Sequence, residues 1–220
     1  MHPPNLLVCI GALCGCNFLW FMLYIYGSFL YNLISTDTVT TMTTGLTYPW
    51  TIAFTQSGSL TYVLTDTQLF TMSQGGATSV LAGSGGTGFA DGQGTAARIW
   101  GARGLVIHPM SGIIYIADGA NHRIRTCTPL GLVGTLAGTG TPSNVDGAFY
   151  ASTFNWPFGI LMDPTFMYLY VTCFYGNTLR QVVVLSGFTT SLAGSGASSS
   201  VDGQGLLASF YNPAYANADV

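Results

Sequence analysis

The sequence predicts an all-β protein made of repeated four-stranded units arranged as a β-propeller, preceded by one N-terminal transmembrane helix. Three observations carry this. A strand-plus-glycine phrase recurs as "LAGSG" at 81–85, "LAGTG" at 136–140 and "LAGSG" at 192–196, its leucines 55 and then 56 residues apart. Short runs rich in β-branched and aromatic residues lie between these phrases, divided by turns containing Gly, Pro or Asn, with no helical period. Residues 6–34 form an apolar run without a charged side chain.

The apolar run comes first in the chain. Leu6 to Ile25 alone reaches the roughly 20 residues that a helix needs to cross the hydrocarbon layer. Trp20, Tyr24, Tyr26 and Tyr31 gather toward its end, as an aromatic belt would. The run exceeds the h-region of about 7–15 residues of a signal peptide, so a signal anchor is favoured over a cleaved leader. The expected division is a tail at 1–5, a membrane helix at 6–34 and a repeat region at 35–220. No Lys or Arg flanks the run, so orientation is not fixed by charge. A single-pass protein with an extracytoplasmic repeat region is expected, or a secreted form if the segment is cleaved.

Within the repeat region other phrases keep step with the first. "ADG" at 90–92 recurs as "VDG" at 145–147 and 201–203; "ARGLVIHP" at 102–109 matches "PFGILMDP" at 157–164; "GIIYIAD" at 112–118 matches "FMYLYVTC" at 166–173. An earlier, worn copy contains "PWTIAFT" at 49–55 and "LTYVLTD" at 60–66. In the third copy the strands are expected at 158–163, 168–173, 179–184 and 188–193. Four strands repeated at about 40–60 residues mark a propeller blade. Blades are expected at 46–85, 99–140 and 154–196, with a partial one at 210–220. "VTTMTTG" at 39–45 reads as the last strand of a unit lacking its earlier strands. Three units and two partial ones do not close a ring, so self-association to complete the propeller is one expectation, and a truncated product or fragment the other.

"NHRIR" at 121–125, between "YIADGA" and "LAGTG", resembles the NHL repeat. The loop carrying Ala/Val-Asp-Gly between blades is similar to the extended form of that family. The resemblance covers about 39–220 and is strongest in 81–140. It implies the motif residues Asp118, Asn121, His122, Arg123, Ile124, Arg125 and Arg180. The third copy departs from it: "GNTLR" at 176–180 lacks the His and one Arg, and Cys173 stands for Asp118. The resemblance implies a rigid platform for protein partners or ligands.

Composition narrows the function. Lys and Glu are absent, only five Arg and eight Asp are present, and the formal net charge is −3. Affinity for nucleic acid rests chiefly on many basic side chains against phosphates, so a nucleic-acid role is disfavoured. Arg123 and Arg125 alternate about Ile124, which puts them on one face of a strand. They are expected to pair with Asp118 or with carbonyls of a neighbouring blade; the functional alternative is a small cationic patch of Arg103, Arg123 and Arg125 for an acidic ligand. Gly104 and Gly159, near the start of a first strand, mark close backbone approach. His108, His122 and Asp118 are weak metal candidates, since a catalytic zinc usually takes three converging protein ligands. Each Asp-Gly loop brings one carboxylate, Asp91, Asp146 or Asp202, which fits a turn better than calcium. A Cys127–Cys173 disulfide is conceivable. No cofactor is expected. The reading is a membrane-anchored module that binds a protein or ligand, leaning against catalysis; the alternative is a propeller enzyme of metal-dependent lyase or hydrolase type.

Overall fold

A computed structural model describes residues 9–12, 19–25, 28–33, 40–55, 58 and 60–215, with 9–42 described by backbone only. The strands are β1 (Cys9–Ala12), β2 (Leu19–Ile25), β3 (Ser28–Leu33), β4 (Thr40–Thr43), β5 (Pro49–Phe54), β6 (Thr61–Thr65), β7 (Leu69–Met72) and β8 (Thr78–Ala82). They continue as β9 (Gly92–Gln93), β10 (Ala102–Ile107), β11 (Ile114–Asp118), β12 (Arg123–Cys127) and β13 (Leu132–Ala137). The last four are β14 (Pro157–Met162), β15 (Tyr168–Cys173), β16 (Thr178–Val183) and β17 (Thr189–Ala193). Four antiparallel meanders result: β1–β4 (blade 1), β5–β8 (blade 2), β10–β13 (blade 3) and β14–β17 (blade 4). The strands expected for the third copy fall within one residue of those found.

The expected membrane helix is replaced by strands. Cys9–Ala12, Leu19–Ile25 and Ser28–Leu33 pair with one another and with Thr40–Thr43 as blade 1. The rest of 1–34 lies outside the described residues. No helix among the described residues is long and apolar enough to cross a membrane. Counting apolar residues measures length and not conformation. The aromatic residues read as a belt are also strong strand formers. Pairing of Ile25 with Ser28 has the spacing of a two-residue hairpin loop. Blade 1 also supplies the strands that seemed missing before 39–45, so the described residues hold four four-stranded blades where three and a partial one before them were expected.

Blades 2–4 repeat the same two irregularities, and blade 1 shares the second. The register shifts once between strands one and two, at Pro49/Thr51, Ala102/Gly104 and Pro157/Ile160. It shifts again between strands three and four, at Phe29/Leu30, Leu69/Phe70, Ile124/Arg125 and Leu179/Arg180. Bulges of this kind raise local twist and re-aim side chains. The register also corrects one alignment. Thr65 lies opposite Pro49 as Asp118 lies opposite Ala102 and Cys173 opposite Pro157. Thr65, not Asp66, is thus the counterpart of Asp118.

The core lies between blades. Leu64, Leu69 and Ala82 of blade 2 pack with Ile99, Ile114, Ile116 and Val133. Tyr115, Ile124 and Ala137 of blade 3 pack with Phe154, Leu169, Val171 and Val182. A fully buried Ile or Leu contributes about 1.5–3 kcal/mol, so these seams hold the blades in series. Glycine sets their spacing at the first strands. A Cβ on Gly104 would stand 2.5 Å from the Phe158 carbonyl oxygen, and one on Gly159 2.7 Å from that of Ala214. Cys127 and Cys173 are buried free thiols in different seams, so the conceivable disulfide between them is not formed. Burial pushes the Cys127 thiol up to about 12.

Candidate functional site: an aromatic face beside internal arginine latches

The arginines marked by the sequence serve mainly to join blades. Arg125 is fully buried on β12. Its guanidinium donates to Asp118 at 2.6 Å, to Asp91 at 2.7 Å and to the carbonyls of Arg98 and Ala90 at 3.0 and 2.8 Å. Asp118 is buried and also accepts from Asn121 Nδ2 and the Trp100 N–H, both at 2.9 Å. Burial raises the Asp118 carboxyl, against the pull of Arg125 and these donors. Asp91 belongs to the loop leaving blade 2, whereas Arg125 belongs to blade 3, so the contact latches one blade to the next. Blade 4 repeats it. Arg180 donates to Asp146 at 2.7 Å and to the carbonyls of Thr153 and Val145 at 2.9 and 3.0 Å. The outer strands complete both latches, through Thr135 Oγ1 to Asp91 and Ser191 Oγ to Asp146.

The three side chains of the alternative cationic patch, Arg103, Arg123 and Arg125, are divided among internal contacts. Arg123 donates to the carbonyls of Asn121 and Thr139 and lies 3.8 Å over the Phe89 ring. Arg103 donates to Asp66 at 2.6 Å and lies 4.0 Å over the Trp50 ring. Ile124 points the other way, into the seam with blade 4.

The metal candidates do not converge. His108 follows β10, where Ile107 pairs with Ile114, while His122 precedes β12, where Arg123 pairs with Asp118. They flank opposite ends of β11, a separation of roughly 15 Å at about 3.3 Å per residue. No group of three or more His, Cys, Asp or Glu able to share an ion occurs among the described residues. His108 Nδ1 accepts from the Met110 and Ser111 N–H groups. Asp163, its counterpart in blade 4, accepts likewise from Thr165 and Tyr168.

His122 has a joining role. Its Nδ1 accepts from the Trp156 N–H at 3.1 Å, across the seam to blade 4. Asn177 does the same one blade on, its Oδ1 accepting from the Asn212 N–H at 3.0 Å. Both residues have positive φ, 54° and 52°, which Asn tolerates better than most residues. Burial, helped by the Arg123 charge, lowers the His122 pKa, so the folded state favours neutral imidazole. A depressed folded pKa gives stability that is present above the unfolded pKa of about 6.5 and lost as pH falls through the folded value. The melting temperature is therefore expected to fall on acidification below about pH 6. His122→Asn is expected to keep stability at neutral pH and to reduce that dependence, and melting curves at pH 5 and pH 7.5 check both.

An aromatic tract that the sequence reading did not single out lies on the face where fourth strands lead to first strands and second to third. Trp50 meets Phe158 edge-on at 6.4 Å between centroids; Phe158 stacks on Phe174 at 5.4 Å and meets Tyr215 at 5.2 Å. Phe174 meets Tyr175 at 5.0 Å, Tyr175 meets Trp156 at 5.4 Å, and Trp156 meets His122 at 6.1 Å. Tyr175 and Tyr215 are 55% and 50% exposed. Trp50, Arg103 and Phe158 occupy the same position, the second of a first strand. Trp156 has φ 58°, a left-handed conformation costly for a bulky residue; blade 3 uses Gly101 there, at φ 64°, and blade 2 Tyr48, at φ 48°. Two of these three blades keep a large aromatic ring where glycine is easier, on the face that carries the tract.

Four-stranded meanders in series, with bulges that recur and latches that join blades 2–4, define this chain as a run of β-propeller blades. No protein-family model matches the sequence. A curated relative, NHL repeat-containing protein 2 of Gallus gallus, is 37% identical over 86 residues, 38% of this chain and 12% of the relative. A solved Bacteroides thetaiotaomicron protein of unknown function aligns with a TM-score of 0.71 at 16% identity, over 90% of this chain and 50% of its own. An auxiliary nutrient binding protein of Bacteroides ovatus aligns with a TM-score of 0.58 at 21% identity, over 71% and 43%. Virginiamycin B lyase of Staphylococcus aureus aligns with a TM-score of 0.57 at 11% identity, over 87% and 57%. The blades are of the NHL-repeat β-propeller type. The chain spans about one eighth of the curated relative's length and half or less of the first two solved structures.

Proposed function

We propose that this chain is a binding module that engages a protein partner through the aromatic face. The carrying observation is the unbroken contact series from Trp156 and Tyr175 through Phe174 and Phe158 to Trp50, with Arg103 stacked at its end. Trp, Tyr and Arg dominate binding energy at protein interfaces because they bury large rigid surfaces while keeping a polar handle. The blades supply the rigid support. Fold alone does not decide between binding and catalysis, since similar propellers include both a nutrient binding protein and a lyase. The wide separation of His108 and His122 favours binding over a metal-dependent reaction centred on them.

Selection of a displayed random-peptide library on the intact protein tests the reading. Enriched peptides are expected to lose at least tenfold in affinity with Tyr175→Ala and with Trp156→Gly. The second variant restores the residue type of blade 3 and is expected to leave the melting temperature unchanged or raised. Leu185→Ala, at a fully exposed turn elsewhere, serves as control. Enriched peptides that bind both aromatic variants at full affinity would refute the assignment.

A further inference from the structure

The latch recurs a third time with only its acceptor half made by the described residues. The loop after blade 4 is folded as the loop after blade 2. Gly194 and Ser195 donate to the carbonyls of Gly205 and Ala208 at 3.2 and 2.8 Å, as Gly83 and Ser84 donate to those of Gly94 and Ala97 at 3.1 and 2.9 Å. A 3-10 turn follows in each, Gly205–Leu207 and Gly94–Ala96. Val201 bridges Ser209 as Ala90 bridges Arg98. In blades 3 and 4 the loop Asp and the two carbonyls at this bridge hold a buried guanidinium. The third set is Asp202 with the carbonyls of Val201 and Ser209. Asp202 is exposed and has no ion-pair partner among the described residues.

Two independent observations say what fits there. Asn212–Tyr215 already occupies the first-strand place of a following blade. Thr172 Oγ1 donates to the Ala214 carbonyl, and Gly159 approaches that carbonyl as Gly104 approaches the carbonyl of Phe158. The outer face of blade 4 is also apolar and only half covered. Tyr115, Ile124 and Ala137 are buried by blade 4, whereas their counterparts Tyr170, Leu179 and Ala193 are partly exposed.

We propose that Asp202, with the carbonyls of Val201 and Ser209, docks the guanidinium of an arginine on the third strand of a further blade, the one that Asn212–Tyr215 opens. Loop and arginine occur together in this chain. The short connection between blades 1 and 2, at 44–48, has no Asp-Gly loop, and the blade after it carries Phe70 at the arginine register. The two blades that follow an Asp-Gly loop carry Arg125 and Arg180 there. Blade 1 of a second copy does not meet the requirement, because Leu30 stands at that register. The site is separate from the aromatic face, so it stands or falls without the proposed function.

The test extends the full chain by a duplicate of residues 165–196 placed directly after Val220. The duplicate of Arg180 then falls 34 residues after Asp202, the interval from Asp91 to Arg125 and from Asp146 to Arg180. Equilibrium unfolding is compared for the chain and its extension, each with and without Asp202→Asn. In the original chain Asp202→Asn is expected to leave the midpoint unchanged. In the extended chain it is expected to lower the unfolding equilibrium's bias toward the fold by about tenfold, as for a hydrogen bond to a charged group. That effect is expected to vanish when the duplicated arginine is replaced by methionine. An equal loss in both chains, no loss in the extended chain, or an extension without a cooperative transition overturns the proposal. So does a dimer of the original chain that Asp202→Asn weakens, which would assign the face to a second copy.

Discussion

Replacing Arg125 by methionine is expected to destabilise the protein by about 3–5 kcal/mol, read from denaturant unfolding, because it strands the Asp118 carboxylate in the seam. Arg125 and Asp118 are both fully buried, 2.6 Å apart. Methionine fills much of the arginine stem but offers no donor to Asp118 or to the carbonyls of Ala90 and Arg98. A second substitution, Asp118→Cys, is expected to recover part of the loss, since blade 4 carries Cys173 at that register. The order matters: Asp118→Cys alone leaves Arg125 with Asp91 and two carbonyls, the arrangement Arg180 has with Asp146. It should therefore cost less than Arg125→Met. A loss below about 1 kcal/mol for Arg125→Met would contradict the latch.

Gly104→Val is expected to cost at least about 3 kcal/mol, with a further loss of cooperativity between blades 3 and 4. The added Cβ would stand 2.5 Å from the Phe158 carbonyl oxygen and 3.1 Å from the Ile160 side chain and backbone nitrogen. The nearest obstacle is main chain of another first strand, which cannot rotate aside. Relief requires moving β10 from β14, which opens the seam holding Tyr115, Ile124, Leu169 and Val171. Overpacking of a close seam typically costs 1–3 kcal/mol, and here strand separation adds to it. Blade 2 has Thr51 at this position, where the hydroxyl donates to the Arg103 carbonyl. Gly104→Thr is therefore the informative companion, expected to be milder only if its hydroxyl finds an equivalent acceptor. Unfolding curves for both variants superimposable on the parent would remove the role given to Gly104.

Blades 2–4 were legible because their invariants are structural. The "LAGSG" and "ADG" phrases recur since each blade needs the same exit turn and the same carboxylate for the next arginine. Blade 1 was hidden by composition. Its apolar, aromatic run satisfies a length test for a membrane helix, and that test does not see the Ile25–Ser28 pairing. The Asp-Gly loops read correctly as turns, but their second use, gripping Arg125 and Arg180, needed the distance between loop and arginine in space. The aromatic face was missed for the opposite reason. Trp50, Arg103 and Phe158 differ from blade to blade, and Trp156 stands where Gly101 does, so matching of repeats passes over them. A signal was present in Tyr48 and Trp156, large aromatic residues before Pro49 and Pro157 at the position where blade 3 has Gly101. What repeats builds the propeller; what breaks the repeat on one face is where a partner is expected.

The central claim is that blades 2, 3 and 4 are joined in series by the loop Asp of one and the third-strand Arg of the next. A double-mutant cycle on Asp146 and Arg180, by equilibrium unfolding of the full chain, tests it most directly, because Cys173 removes the second carboxylate present in blade 3. The ion pair at 2.7 Å predicts a coupling of at least about 1 kcal/mol between Asp146→Asn and Arg180→Met. Strictly additive losses would contradict it.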